Sequence, residues 1–387
     1  MSNFLKSDTV KYVGVDDKDL DLFESQYVIP NGISYNSYVI MDEKIAVMDT
    51  VDKRTTVEWL KNLTEVLGDR QPDYLVITHM EPDHSSNIEV FLDKYPNTIV
   101  VGNTKTFDMI GQFFDIDLSN NKLVVKEYDE LCLGAHTLTF VMAPMIHWPE
   151  VMVAYEKTEK ILFSADAFGK FSTLDVEEEW VCEARRYYFN IVGKYGVQVQ
   201  ALLKKLKNYE ILAICPLHGP MLTENTDYYI NLYDIWSKYE PEDEGIVIAY
   251  ASIHGNTAAA AKKLAEMLKE RGAKKVVVSD LSRADMAEVL EDAFRYNKLV
   301  LASATYDTGL FPCMENYIMH LKAKNYQKRT VALMENGTWA PMAAKHMKAM
   351  LETMKEITLV EPVVTIKSAM KENTIKAMEE LADAIMK

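Results

Sequence analysis

From Ile246 to its end the chain alternates between two periodicities. Short apolar runs at Ile246–Ala251, Lys275–Ser279, Lys298–Ser303, Thr330–Met334 and Val360–Ile366 read as strands. Between and after them come stretches with apolar residues every three or four positions, at Thr257–Arg271, Ala284–Arg295, Cys313–Ala323, Pro341–Met354 and Lys371–Met386. These read as amphipathic helices. Strict alternation of strand and helix predicts an open parallel doubly wound sheet. Ligands of such sheets bind at the carboxyl ends of the strands.

The first part of the chain follows a different pattern. Short strand-like runs come in groups, at Tyr38–Ile40, Ile45–Met48, Tyr74–Thr78, Ile99–Gly102 and Leu123–Val125, then Thr137–Val141, Val151–Tyr155, Ile161–Ser164 and Ile211–Ile214. Helical stretches are expected at Thr55–Leu67, Asn87–Lys94, Thr104–Phe113 and Val197–Lys207. The pattern predicts a mixed α/β domain of two strand-rich halves with helices outside. The polar, acidic stretch Lys238–Gly245, with Pro241 and Gly245, is the expected boundary. Domains 1–243 and 244–387 follow.

Composition narrows the function classes. Of 387 residues, 48% are hydrophobic and 26% charged, which excludes a disordered chain. Lys+Arg is 42 and Asp+Glu 58, so the formal charge is 42 − 58 = −16. With no cluster of Lys or Arg, neither nucleic acid nor an anionic membrane is an expected partner. No run of about 18 apolar residues suggests a membrane span, and the first eight residues lack the apolar stretch of a secretory leader. The expected location is cytoplasmic. Cys132, Cys182, Cys215 and Cys313 form no CxxC, so a structural zinc knuckle, a rubredoxin-type iron site and a local redox disulfide are unsupported. They are expected to be reduced and partly buried.

The strongest chemical signal is Thr78-His79-Met80-Glu81-Pro82-Asp83-His84-Ser85, which follows a predicted strand. It packs His79, Glu81, Asp83 and His84 into six residues. His147, Asp166 and His218 each follow another strand. If those strands are neighbours, all seven groups reach one rim. Seven ligands exceed the needs of one tetrahedral ion and suit two. Asp166, alone on its loop, is the natural bridge, with His79, Glu81 and His147 on one metal and Asp83, His84 and His218 on the other. Imidazole and carboxylate without thiolate make a hard donor set, suited to iron or manganese as well as zinc.

This spacing resembles the metallo-β-lactamase fold, an αββα sandwich. Hydrolases of that fold typically carry His where this chain has Glu81. Glu there resembles the flavodiiron proteins, whose non-haem diiron site reduces dioxygen to water or nitric oxide to nitrous oxide. An anionic oxygen in place of a neutral imidazole hardens the site and stabilises ferric iron.

The second domain tests the resemblance independently. Its first strand ends in Ser252-Ile253-His254-Gly255-Asn256-Thr257, directly before a helix. Hydroxyls and amides at a helix N-terminus bind anions without a lysine. The loop is neither GxxxxGK[ST] nor GxGxxG, and it resembles the phosphate loop of flavodoxins, which bind FMN. Two further loops fall at strand ends, Ala304-Thr305-Tyr306-Asp307 and Asn336-Gly337-Thr338-Trp339. Tyr306 or Trp339 is placed to border an isoalloxazine ring.

The resemblance spans nearly the whole chain, with both domains in the family's order. The chain ends after the flavodoxin-like domain, like the simplest architecture of that family. It implies an FMN- and diiron-dependent oxidoreductase for dioxygen or nitric oxide, fed by an external donor such as rubredoxin or a reduced deazaflavin. It also implies a head-to-tail homodimer or a dimer of dimers. Tyr195 is a candidate hydrogen-bond donor beside the metals. The rival readings are a zinc hydrolase with an appended flavodoxin-like domain, and an electron carrier whose first domain is only scaffold.

Overall fold

The structure, a computed structural model, describes residues 7–387. The leaderless reading of the N-terminus falls almost wholly on residues 1–6, outside that range. The chain forms two compact units, residues 1–234 and 235–387. No helix among the described residues is long and apolar enough to cross a membrane.

The first unit is a sandwich of two sheets. In the six-stranded sheet the order is Val10–Tyr12, Tyr38–Ile40, Ala46–Met48, Tyr74–Val76, Ile99–Gly102 and Lys122–Val124. Its first two pairings are antiparallel and the rest parallel. The five-stranded sheet runs Glu130–Cys132, Thr137–Met142, Met152–Glu156, Ile161–Phe163 and Ala213–Cys215, parallel only in the last pairing. Apolar side chains of both sheets fill one core, including Tyr38, Met48, Val76, Phe140, Met152 and Phe163. Helices cover the sandwich with one apolar stripe each. Trp59, Leu63 and Leu67 are the buried stripe of Thr56–Leu67, and Val199, Leu202, Leu203 and Leu206 that of Gly196–Leu206.

The second unit is a five-stranded parallel sheet with a two-residue strand attached at one end. In chain order of its long strands it runs second, first, third, fourth, fifth, from Val276–Asp280 through Asp243–Ala251, Tyr296–Tyr306 and Arg329–Asn336 to Ile357–Ile366. This is the doubly wound order whose crevice opens between the first and third strands. The inner strands are near-continuous apolar runs because helices cover both faces. The appended strand, Gly309–Leu310, forms a hairpin with Thr305 and Tyr306. Arg329 is buried and closes the end opposite the crevice. Its guanidinium donates to the carbonyls of Tyr296 at 2.8 Å, Tyr239 at 2.6 Å and Phe294.

All nine strands and four helices expected before the boundary are present, within a few residues. The sequence missed the three-residue strands Val10–Tyr12, Val15–Asp17, Ile33–Tyr35 and Glu130–Cys132, and the helices Trp180–Tyr187 and Thr226–Ser237. Three residues are too few to display a period of two. Of the thiols, Cys215 is buried and Cys313 partly buried, as expected, whereas Cys132 and Cys182 are exposed.

Tyr239 lies before Glu244 yet is buried in the second unit, against Phe294 and Arg329. A fragment starting at Ile235 should therefore fold alone and outlast one starting at Glu244 in urea, by about 2–4 kcal/mol for the lost ring and the acceptor of a buried cation. Equal midpoints and slopes for the two fragments would show that this segment adds nothing.

Candidate metal centre and cofactor pocket

Buried carboxylates and amides fasten the loop that carries four of the seven groups. Asp49, wholly buried, accepts from the Thr78 amide at 2.7 Å, the Thr78 hydroxyl at 2.6 Å and the His79 amide at 3.3 Å. Burial raises its pKa to about 6, against the pull of those Thr78 donors. Pro82 opens a single helical turn, Pro82–Ser85, which carries Asp83 and His84. The Thr50 hydroxyl and amide both donate to the His84 carbonyl, at 2.7 and 2.9 Å. The loop around His218 is held from Ser34, Asn36 and Tyr38: Asn36 Nδ2 donates to the Pro216 and Gly219 carbonyls, and Tyr38 to Pro216. Gly219 sits at φ 79°, and a Cβ there would stand 2.6 Å from Lys170 Cγ, so only glycine fits.

These loops bring all seven predicted residues together, in two groups. His79, Glu81, His147 and Asp166 form one, and Asp83, His84 and His218 the other. Asp166 joins them. Its Oδ2 lies 3.1 Å from both His79 Nε2 and His147 Nε2, and its Oδ1 lies 3.4 Å from His84 Nε2 and 3.8 Å from His218 Nε2. Glu81 Oε2 stands 2.9 Å from His147 Nε2 and 3.3 Å from His79 Nε2. Asp83 Oδ2 stands 3.2 Å from His218 Nε2 and 3.3 Å from His84 Nε2, and those two ring nitrogens are 3.1 Å apart.

The residues fit metal ions on two counts. Donor atoms bound at about 2.1 Å to one ion stand about 3.0–3.4 Å apart for bond angles between 90° and tetrahedral, and all the separations above fall there except those of Glu81 from His147, 2.9 Å, and of Asp166 from His218, 3.8 Å. Both oxygens of Asp83 and of Asp166 are also buried without a hydrogen bond, which a protein interior tolerates only beside a cation. Without metal, protons take that role. Against the cost of burial, the carboxylates raise the His79 and His84 pKa values and lift that of His147 to about 9. Glu81 and Asp166 are held well below the usual carboxylate range by the same histidines, although burial opposes it.

Three groups near the centre escaped the sequence reading. Glu150 accepts from His79 Nδ1 at 2.8 Å. Asp49 is the latch described above. The third is Tyr187, the last residue of helix Trp180–Tyr187, where the backbone widens into a π-helical turn at Tyr188–Val192. Tyr187 is wholly buried, its ring is 5.6 Å from that of His218, and its hydroxyl has no hydrogen-bond partner. Burial, then the charges of Asp166, Glu81 and Asp83, push that hydroxyl well above the ordinary tyrosine range. Tyr195, the phenol expected here, is half-buried in the short turn Gly193–Tyr195, with the Lys194 ammonium over its ring. Phe23, Tyr35 and Trp148 complete an aromatic lining, the first two against His218 and the third against His79.

In the second unit the three predicted loops meet at the carboxyl ends of the strands. Residues 252–254, 256–257, 304–307 and 336–339 line one cavity of about 610 Å³, with Thr308, Ala340 and Ser368 added by the fold. Gly255 is not among the lining residues; it turns the chain at φ 88° just before helix Asn256–Glu270. Several predicted contacts use their side chains internally. Thr305 Oγ1 accepts from the Met342 and Ala343 amides, and Asn336 exchanges two bonds with the Ser368 backbone. What they offer a ligand is therefore backbone. Helix amides face the cavity beside Ser252 and Thr257, suited to a phosphate. Trp339, 89% exposed, and Tyr306, 44% exposed, stand at the mouth. Two aromatic rings left in water there suit a planar ring system between or beside them.

Comparison with known proteins agrees with this division. The ODP family beta lactamase model matches residues 33–219, and the flavodoxin domain model matches residues 247–368. The chain is 29% identical to the anaerobic nitric oxide reductase flavorubredoxin of Vibrio vulnificus, over 88% of this chain and 71% of that one. Among solved structures, rubredoxin oxygen:oxidoreductase from Desulfovibrio gigas superposes with a TM-score of 0.92 at 24% identity, covering 99% of this chain and 97% of that one. A variant of the flavo di-iron protein from Thermotoga maritima gives 0.87 at 25% identity, covering 97% and 94%.

Metal loading should depend on pH in a way an ordinary histidine cluster would not show. Imidazoles normally lose their protons near pH 6.5. Here the raised values keep protons in the metal-free cluster, so a metal must displace them, and affinity rises with pH until His147 is free near pH 9. Calorimetric Co(II) titration of metal-stripped protein should show affinity still climbing from pH 7 to 9, with protons released. A plateau above pH 7.5 would refute it.

Proposed function

This chain belongs to the flavodiiron protein family, and from that premise we propose that it reduces dioxygen to water, nitric oxide to nitrous oxide, or both, as an FMN- and diiron-dependent oxidoreductase. The carrying observation is Asp166, whose two carboxylate oxygens face two separate ligand groups. In this reading His79, Glu81 and His147 hold one iron, Asp83, His84 and His218 the other, and Asp166 bridges them. FMN is held by the loops 252–257, 304–307 and 336–339. The domain limits proposed are 1–243 for the diiron domain and 244–387 for the FMN domain.

When bound, the flavin supplies electrons one at a time and the paired irons supply them together to a diatomic ligand. The protein's part is to hold the seven ligands, exclude water and place a proton donor. Phe23, Tyr35 and Trp148 wall the centre with apolar surface, which admits a small uncharged gas and repels ions. The Tyr187 hydroxyl is buried beside the cluster with no hydrogen-bond partner, so in this reading it serves a ligand that arrives from outside. Glu81 disfavours the hydrolase reading, and two complete ligand groups disfavour a carrier with an idle first domain.

The donor of electrons is a separate protein or cofactor, rubredoxin or a reduced deazaflavin, and the working state is a head-to-tail homodimer or a dimer of dimers. Location is cytoplasmic, with neither nucleic acid nor membrane as partner. The donor and the assembly are proposed from the likeness to the family, the location and the excluded partners from the acidic charge and the sequence pattern. The deciding experiment is anaerobic titration of reduced, iron-loaded protein with dioxygen and with nitric oxide, following consumption of each. Consumption of neither by protein carrying both cofactors would sink the reading.

Two substitutions test the parts. Asp166→Asn keeps the size and removes the charge, so it should deplete iron by more than the roughly 10–100-fold typical of an outer partner while FMN stays bound. Full iron content would take Asp166 out of the centre. Tyr187→Phe deletes only the unpartnered hydroxyl. It should leave fold, iron and FMN intact and slow turnover about 10–100-fold, the worth of one buried donor. Unchanged turnover would make Tyr187 mere packing.

A further inference from the structure

The two halves of the metal centre use the same kinds of ligand but are supported differently from behind. Each has one terminal carboxylate and two histidines, and they share Asp166. His79 turns Nε2 toward Glu81 and Asp166, and its Nδ1 meets Glu150 Oε1 at 2.8 Å. Glu150 is wholly buried; the same oxygen accepts from the Met80 amide at 2.8 Å, and its other oxygen has no hydrogen bond. On the opposite side, His218 Nδ1 meets the neutral carbonyl of Ser34 at 2.8 Å, and His84 Nδ1 is buried with no hydrogen-bond partner.

A ring that points Nε2 at a metal keeps its proton on Nδ1, and the acceptor of that proton sets how much electron density the ring donates. A carboxylate draws the proton further than a carbonyl does, giving the ring imidazolate character. His79 and Glu150 are both buried, so solvent screens the added charge only weakly. We propose that Glu150 is a positioning residue that makes the two metal positions inequivalent. It fixes His79 with Nε2 toward the centre and lends negative charge to the metal held by His79, Glu81 and His147. That metal then has a lower reduction potential than its neighbour held by Asp83, His84 and His218. The inference rests on the diiron reading above.

Glu150→Gln is the informative variant. The amide oxygen still accepts from His79 and Met80; the new NH₂ lies where the wild-type oxygen makes no hydrogen bond, so thermal melting should first verify that the variant keeps its fold. Iron and FMN analysis should show both cofactors retained. In a Mössbauer-monitored reductive titration, the lower-potential iron of the variant should move up, narrowing the gap between the two one-electron steps. Glu150→Ala removes the acceptor altogether. Co(II) titration of that metal-stripped variant should show one of the two positions weakened about 10–100-fold and the other unchanged. A wild-type gap in Glu150→Gln, or equal weakening of both positions in Glu150→Ala, would overturn the inference while leaving the diiron reading standing. Wild-type protein that failed to retain two irons would instead sink the diiron reading itself.

Discussion

A fully buried carboxylate that accepts no hydrogen bond is costly unless positive charge stands beside it, and Asp166 is such a group. The rest of the first unit serves this constraint. Both sheets contribute loops to it: His79, Glu81, Asp83 and His84 follow a strand of the six-stranded sheet, and His147, Asp166 and His218 follow strands of the five-stranded one. The shared core of the sandwich fixes the distance between those loops. Asp49, Asn36 and Tyr38 then pin the loop backbones with bonds to their amides and carbonyls.

The seven clustered side chains were legible because chemistry was concentrated. Four donors within six residues at a strand end leave little room for another explanation, and His147, Asp166 and His218 fell at further strand ends. The flavin loops were legible for a related reason: each lies where an apolar run gives way to Gly, Ser, Thr or Asn. The supporting shell was not legible. Glu150 reads as one acidic residue in a polar turn until the fold buries it against His79. Tyr187 and Tyr195 cannot be ranked without the phase of helix Trp180–Tyr187 and its π-helical extension, and that helix was missed. Its buried face includes Arg185 and Arg186, which break the apolar periodicity a helix is recognised by.

The inner strands of the second unit were recovered because both their faces are covered, so their residues are mostly apolar. Short edge strands such as Val10–Tyr12 have no such signature. They exist because a neighbour, here Tyr38–Ile40, supplies the ladder. The difference is between elements specified by their own residues and elements specified by what lies beside them.

The flavin cavity is walled by loops that bond to one another rather than wait for a ligand. Thr305 caps the helix beginning at Ala343, Glu335 ties Ala344 to Thr365, and Asn336 and Thr338 close onto Ser368. Little conformational entropy is left to lose there when a cofactor enters. The exception is Trp339, almost wholly in water. Cofactor exchange in this protein should then behave as entry into a preformed socket with one wall left to order, the residence time set by how firmly a single indole settles over the ring.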